Sequence, residues 1–186
     1  MVEKDKIIEA VKLIISAIGE NPHREGLIDT PIRVAEAYEE LFSGMKLDPS
    51  DVLSVGFEEV YQEIVVIKDI SFVSICEHHL LPFVGYANIG YVPGNRIAGA
   101  SKLAHALDIL SRRPQIQERL THQLVDSIYN TIKPDGVVAV LSAEHMCMSL
   151  RGVKKPGSKI VTSYSRGDFR NRVTTKQEML SLLLES

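Results

Sequence analysis

The chain has two cysteines, and each lies two residues from a histidine at the end of an apolar, strand-forming run. The first cluster is Cys76-Glu77-His78-His79 and the second is Glu144-His145-Met146-Cys147. Thiolate and imidazole are preferred zinc donors in a tetrahedral shell. A fold that uses both clusters for one ion must bring two distant strand ends to one point. Cys76 and His79 are close enough in sequence to chelate from a single turn. On a straight strand, however, Cys76 and His78 share a face and His79 points away. The chain must therefore bend at Glu77-His78 if Cys76 and His79 converge. Cys147 can supply a third ligand, which leaves a fourth position for water, the pattern of catalytic zinc. From spacing alone the set can instead be Cys76, His78 and Cys147, or can include His145 and close the shell. The histidines next to the ligands, His78 and His145, are placed for acid and base work near neutral pH. Cysteine is often buried for packing alone, but here every cysteine in the chain sits in such a cluster.

The bulk properties fit a soluble globular protein. A chain of 186 residues with 45% hydrophobic and 24% charged residues suits one globular domain, or one domain with a helical appendage. The net charge of −3 argues against nucleic-acid binding, which needs a basic surface. No apolar run is long enough to span a bilayer. Met1 to Lys6 is mixed in charge and lacks a signal-peptide core, so the cytoplasm is the expected location. In that reducing setting two cysteines read as thiols or ligands rather than a disulfide.

Hydrophobic spacing predicts a helix over 5–18, carried by Ile7, Ile8, Val11, Ile14, Ile15 and Ile18 and ended by Gly19. A second helix opens at Thr30-Pro31, with Thr30 as N-cap, and stops at Gly44. A polar loop leads to a strand over 63–76, broken by Pro82, and a second strand over 83–91. A short return strand at 96–99 precedes helices from Ser101 and after Pro114. Strands over 137–141 and 158–165 follow, then a C-terminal helix with a Thr175–Glu178 capping box. Strands grouped in antiparallel pairs between helices indicate an α+β fold. Its sheet has two long edges, which are usually covered or paired, so assembly through the sheet is expected.

Several polar groups are candidates for binding an anion. Ser101-Lys102 opens a helix just after a strand and a glycine, a natural phosphate site. Arg151-Gly152 lies four residues past Cys147 and can carry anionic substrate charge into the metal site. Gln117-Glu118 opens the next helix, and an amide beside a carboxylate matches guanine's O6 and its N1–H and N2–H donors. Arg33, off the apolar face of its helix, reads on spacing alone as a solvated charge.

Taken in order, Asp29-Thr30-Pro31-Ile32-Arg33, Cys76-Glu77-His78-His79, Ser101-Lys102, the run from Arg113 to Thr121, and His145-Met146-Cys147 with Arg151-Gly152-Val153 resemble GTP cyclohydrolase I. The resemblance covers nearly the whole chain. It implies the tunnelling fold, in which α+β subunits join antiparallel sheets into a barrel, with flanking helices. A helical segment over 1–45 would precede a catalytic domain over 46–186. It also implies a homodecamer of two face-to-face pentamers with active sites at subunit interfaces. Zinc would be held by Cys76, His79 and Cys147. Gln117 and Glu118 would read guanine, while Lys102, Arg151 and a neighbouring subunit's Arg33 would hold the triphosphate. The implied reaction converts GTP and water to 7,8-dihydroneopterin triphosphate and formate, the entry to folate and pterin synthesis. In it, zinc-activated water attacks C8, His145 protonates N7, and His78 and Ser101 move protons at the ribose.

One position departs from that pattern. The family usually carries an arginine four residues after the serine of Ser-Lys, and here that residue is His105. Histidine is shorter and only partly charged at neutral pH. Weaker triphosphate binding with the ring chemistry retained is the expectation, unless another cation compensates. Two other functions fit the same motifs: a non-catalytic nucleotide-binding homologue with structural zinc, and a same-fold enzyme for a related purine nucleotide. There is no long extension before the first helix, so no segment for docking a regulatory protein is expected.

Overall fold

The computed structural model describes residues 2–59, 61, 63–171, 177 and 181, so the expected capping box and C-terminal helix beyond it lie outside the described residues. Helices α1 (Lys4–Ala17) and α2 (Thr30–Leu41) pack on one another at the N-terminus. The predicted helix pair is thus present, with one local difference. The cap position of α2 falls to Asp29 rather than Thr30, and Thr30-Pro31 form its first turn. Asp29 makes no cap hydrogen bond; its carboxylate pairs with Arg33 at 3.2 Å.

The polar loop after α2 is more structured than its composition suggests. It holds a 3₁₀ turn (Ser43–Lys46), a short helix α3 (Pro49–Leu53) and strand β1 (Gly56–Glu58). Asp48 caps α3 by accepting from the Ser50 amide at 2.9 Å, and Pro49 pre-sets its first turn. β1 exists only through pairing with β4 (Arg96–Ala98), a non-local partner that no local pattern reveals. Arg113 ties this region to the rest, donating to the Gly44 and Leu47 carbonyls at 2.9 and 2.6 Å.

The main sheet contains β2 (Val65–Cys76), β3 (Leu81–Val92), β5 (Pro114–Gln115), β6 (Gly136–His145) and β7 (Lys159–Gly167), in the order β5-β2-β3-β6-β7. All pairings are antiparallel except that of the two-residue β5 with the end of β2. Pro82 does not break the run: it lies inside β3, opposite Ile75. β6 begins its pairing only at Phe83, so Pro82 has a strand neighbour on one side alone, where a missing N–H is tolerated. β6 also runs four residues past the predicted end, to His145, because Ser142 and Glu144 alternate to the less buried side.

Helices α4 (Ala100–Ser111) and α5 (Gln117–Ile132) cover one face of this sheet. Leu103, Leu107 and Leu110 of α4, and Leu120, Leu124 and Ile128 of α5, are buried against Phe72, Phe83, Ala87, Ile89 and Leu141. Each such side chain contributes about 1.5–3 kcal/mol by leaving water. The opposite face keeps Val73, Val84, Tyr86 and Val161 exposed. The architecture is α+β, a curled antiparallel sheet flanked by helices, as the order of elements predicts.

Candidate metal centre and active site

The site forms where β2 and β6 end beneath the start of α5. Ser74 pairs with Phe83, and Phe83 pairs with His145, so these three residues form one row on the helix-covered face. Cys76 lies two residues beyond Ser74 and is buried on the same face. The His145 ring stacks on Phe83 with centroids 4.4 Å apart and planes 4° from parallel. Gly85, two residues on, lets the strands close up: a Cβ there would strike the Ser142 carbonyl oxygen. Past His145, the short helix α6 (Met146–Ser149) carries Cys147 back toward Cys76. One ligand atom each from Cys76, His145 and Cys147 all lie within 4.8 Å of one another.

The expected bend is present. β2 stops at Cys76, residues 77–80 form a turn, and the Leu80 amide returns to the Cys76 carbonyl at 2.9 Å. Leu80 takes a left-handed φ of 53° to close it. His78 Nδ1 lies 3.7 Å from Cys76 Sγ. His79 is exposed on the same turn and is not among the residues that converge. The turn is braced to α5 by a two-pronged ion pair, in which Arg119 donates to the two Glu77 oxygens at 2.6 and 3.1 Å. Glu77 sits inside the first motif and Arg119 in the polar run, but their pairing across the fold is not visible in spacing. Glu144 braces the other cluster, accepting from Ser149 Oγ at 2.5 Å and from the Gly157 amide at 2.9 Å.

The electrostatics suit a cation. Burial pushes the Cys147 thiol up, and the facing Cys76 adds to this, while the Arg151 charge pulls it partly back down. Two thiols held face to face resist ionising together until a positive ion joins them. Burial lowers the His145 ring below the usual histidine range, and the nearby Glu118 carboxylate partly opposes this. Arg151 and Glu118 therefore both exert a field on the cluster.

Gln117 is held within the chain. Its amide is buried, and every polar atom of it is engaged within the chain. Glu118, next to it, is exposed. Ser101, Lys102 and His105 lie in the first turns of α4. Arg33, on α2, donates to the Asp29 carboxylate at 3.2 Å.

The family profile of GTP cyclohydrolase I matches residues 7–184. The chain belongs to the GTP cyclohydrolase I family. Among curated relatives, GTP cyclohydrolase 1 of Listeria innocua is 53% identical, covering 98% of this chain and 97% of its own. GTP cyclohydrolase 1 of Caldanaerobacter subterraneus is 52% identical, covering 98% of each. Among solved structures, an archaeosine synthase QueF-Like in the apo form is similar over 56% of this chain and 93% of its own, at 13% identity and a TM-score of 0.45. The enzyme is thus a GTP cyclohydrolase of type I, a hydrolase that converts GTP on the route to pterins and folate. The Cys76-His145-Cys147 group lies within it as a set of donors that can bind a metal. Among the described residues, no helix is long and apolar enough to cross a membrane.

Proposed function

We propose that this chain is a zinc enzyme of the cytoplasm that opens the imidazole ring of GTP and rebuilds it as 7,8-dihydroneopterin triphosphate, releasing formate. The observation that carries this is the convergence of both cysteines and a buried histidine at one sheet end, within electrostatic reach of Glu118 and Arg151. The two thiols fit zinc: their sulfurs lie within 4.8 Å of one another, at the end of the turn that carries His79. Cys76, Cys147 and His79 would hold the ion, with His79 supplied from the braced turn. When bound, zinc supplies a water acidic enough to attack carbon at neutral pH.

The chain's own groups do the rest. Glu118 accepts from N1–H and N2–H of guanine and so orients C8 toward the cysteines. His145 gives a proton to N7, which makes C8 more electrophilic. Phe83 stacks on the His145 ring and limits its freedom to tilt. His78 and Ser101 move protons at the ribose during the rearrangement. Lys102, Arg151, His105 and a neighbouring subunit's Arg33 meet the triphosphate. The apolar outer face of the sheet and its two edges support assembly through sheets, here read as a decamer of two pentamers. Incubating the protein with GTP should yield a fluorescent pterin after oxidation, together with formate. Neither product from zinc-loaded protein would sink the proposal.

Two smaller predictions follow from the edges of this site. Exchanging His105→Arg should restore a full positive charge beside the triphosphate and lower KM for GTP. A gained charge-assisted phosphate contact is worth about 1.5–3 kcal/mol, or roughly tenfold or more in KM. An unchanged KM would mean that another cation already fills the role. Arg119→Ala should free the turn that carries His78 and His79, and weaken zinc retention by about tenfold in competition with a coloured chelator. The brace also has a pH signature. Its Arg119 hydrogen bond holds the Glu77 carboxyl below its ordinary value of 4.5. Its contribution is therefore complete above that value and is lost as pH falls through the lower folded one. Zinc retention in wild type and Arg119→Ala should converge on the acid side of that window.

A further inference from the structure

The buried hydrogen bonds around Gln117 have only one consistent direction. Gln117 Nε2 lies 3.0 Å from the Leu141 carbonyl, 2.9 Å from the Ile160 carbonyl and 3.1 Å from Thr162 Oγ1. Carbonyl oxygens only accept, so the atom facing them must be the amide nitrogen. Turned the other way, Gln117 would set its own oxygen against two carbonyl oxygens in a buried site. Its Oε1 is thereby committed to face His145 Nε2, at 2.9 Å. An amide oxygen accepts and cannot donate, so the donor on that bond is the ring.

The hydroxyls lock this orientation in place. Thr121 Oγ1 donates its one hydrogen to the Gln117 carbonyl at 2.8 Å. The 2.7 Å contact between Thr121 and Thr162 must then run from Thr162 to Thr121. Thr162 Oγ1 is left to accept from Gln117, as the geometry requires. Gln117, Thr121 and His145 are all buried, so water does not compete for these groups.

We infer that Gln117 is a positioning residue that fixes His145 in the tautomer with its proton on Nε2, leaving Nδ1 as the ring's one free nitrogen. Any proton that His145 gives or takes, and any ion that it touches, then passes through Nδ1. This assigns Gln117 to the histidine and leaves base recognition to Glu118. The effect on turnover rests on the role proposed above for His145, whereas the tautomer rests on the hydrogen bonds alone.

The two parts separate experimentally. In zinc-loaded wild-type protein labelled with ¹⁵N-histidine, ring ¹H–¹⁵N correlations report which nitrogen carries hydrogen. His145 is assigned by the signal that vanishes in His145→Gln. At about pH 8, where an ordinary imidazole is neutral, His145 should show a protonated Nε2 and a bare Nδ1. A ring protonated on Nδ1 overturns the inference, whether or not the protein turns over GTP. In the kinetic arm, Gln117→Leu should lower kcat about 100-fold or more, the size of a misdirected acid–base group, with KM for GTP nearly unchanged. A raised KM with kcat retained would show that Gln117 reads the base, and the positioning role falls. If Gln117→Leu does not fold, the wild-type spectrum still decides the tautomer.

Discussion

His79→Ala is expected to lose zinc and activity together, whereas His145→Ala keeps the zinc and loses only turnover. The contrast separates two of the three imidazoles, His79 and His145, that compete with His78 for the third ligand position. His145 lies among the cysteines, but its Nε2 is committed to Gln117 and its ring is clamped on Phe83. His79 is exposed, three residues from Cys76 on a turn that begins as β2 ends. Losing one of three protein ligands removes most of the affinity of such a site, and with it the activated water. Loss of a general acid alone reduces turnover by about 10²–10⁴-fold. Metal analysis of the purified variants, beside kcat, distinguishes the cases. If His145→Ala is the variant that comes out metal-free, the ligand set is Cys76, His145 and Cys147, and the N7 proton must come from elsewhere. Cys147→Ala should be metal-free under any of these ligand sets.

Much of this site was legible in the sequence because its parts are local. The bend at residues 77–80 follows from the period of a strand: without it, Cys76 and His79 face opposite ways. The pairing of the two cysteine clusters followed from how few cysteines the chain has. The parts that stayed hidden are non-local. Arg119 and Glu77 meet across the fold, and nothing in either motif names the other. Gln117 and Glu118 read as a pair from their adjacency, yet adjacent residues at a helix start face in different directions. One of them turned into the sheet, to the Leu141 and Ile160 carbonyls, and the other stayed exposed. Local signals also misjudged Pro82, since whether a strand tolerates proline depends on how far its neighbour extends. The loop over 43–58 looked unstructured because its helix is a single turn and its strand is held by β4 alone.

Glu118→Ala should reduce kcat/KM for GTP by two to four orders of magnitude, because the carboxylate accepts both guanine donors. Each hydrogen bond to a charged group is worth about 1.5–3 kcal/mol, so losing two corresponds to roughly 10²–10⁴-fold. The substrate can be cut instead of the enzyme. Inosine triphosphate lacks the N2 amino group and keeps N1–H, so wild-type enzyme should prefer GTP by about one bond's worth, roughly 10–150-fold. In Glu118→Ala that preference should nearly vanish, since the group that sensed N2 is gone. The Glu118 carboxylate also raises the affinity of His145 for its proton, against the effect of burial. Its removal should therefore move the alkaline limb of kcat, where a general acid loses its proton, to lower pH. If the GTP preference survives in Glu118→Ala, another group reads the guanine edge, and the division of labour between Gln117 and Glu118 fails at the Glu118 end.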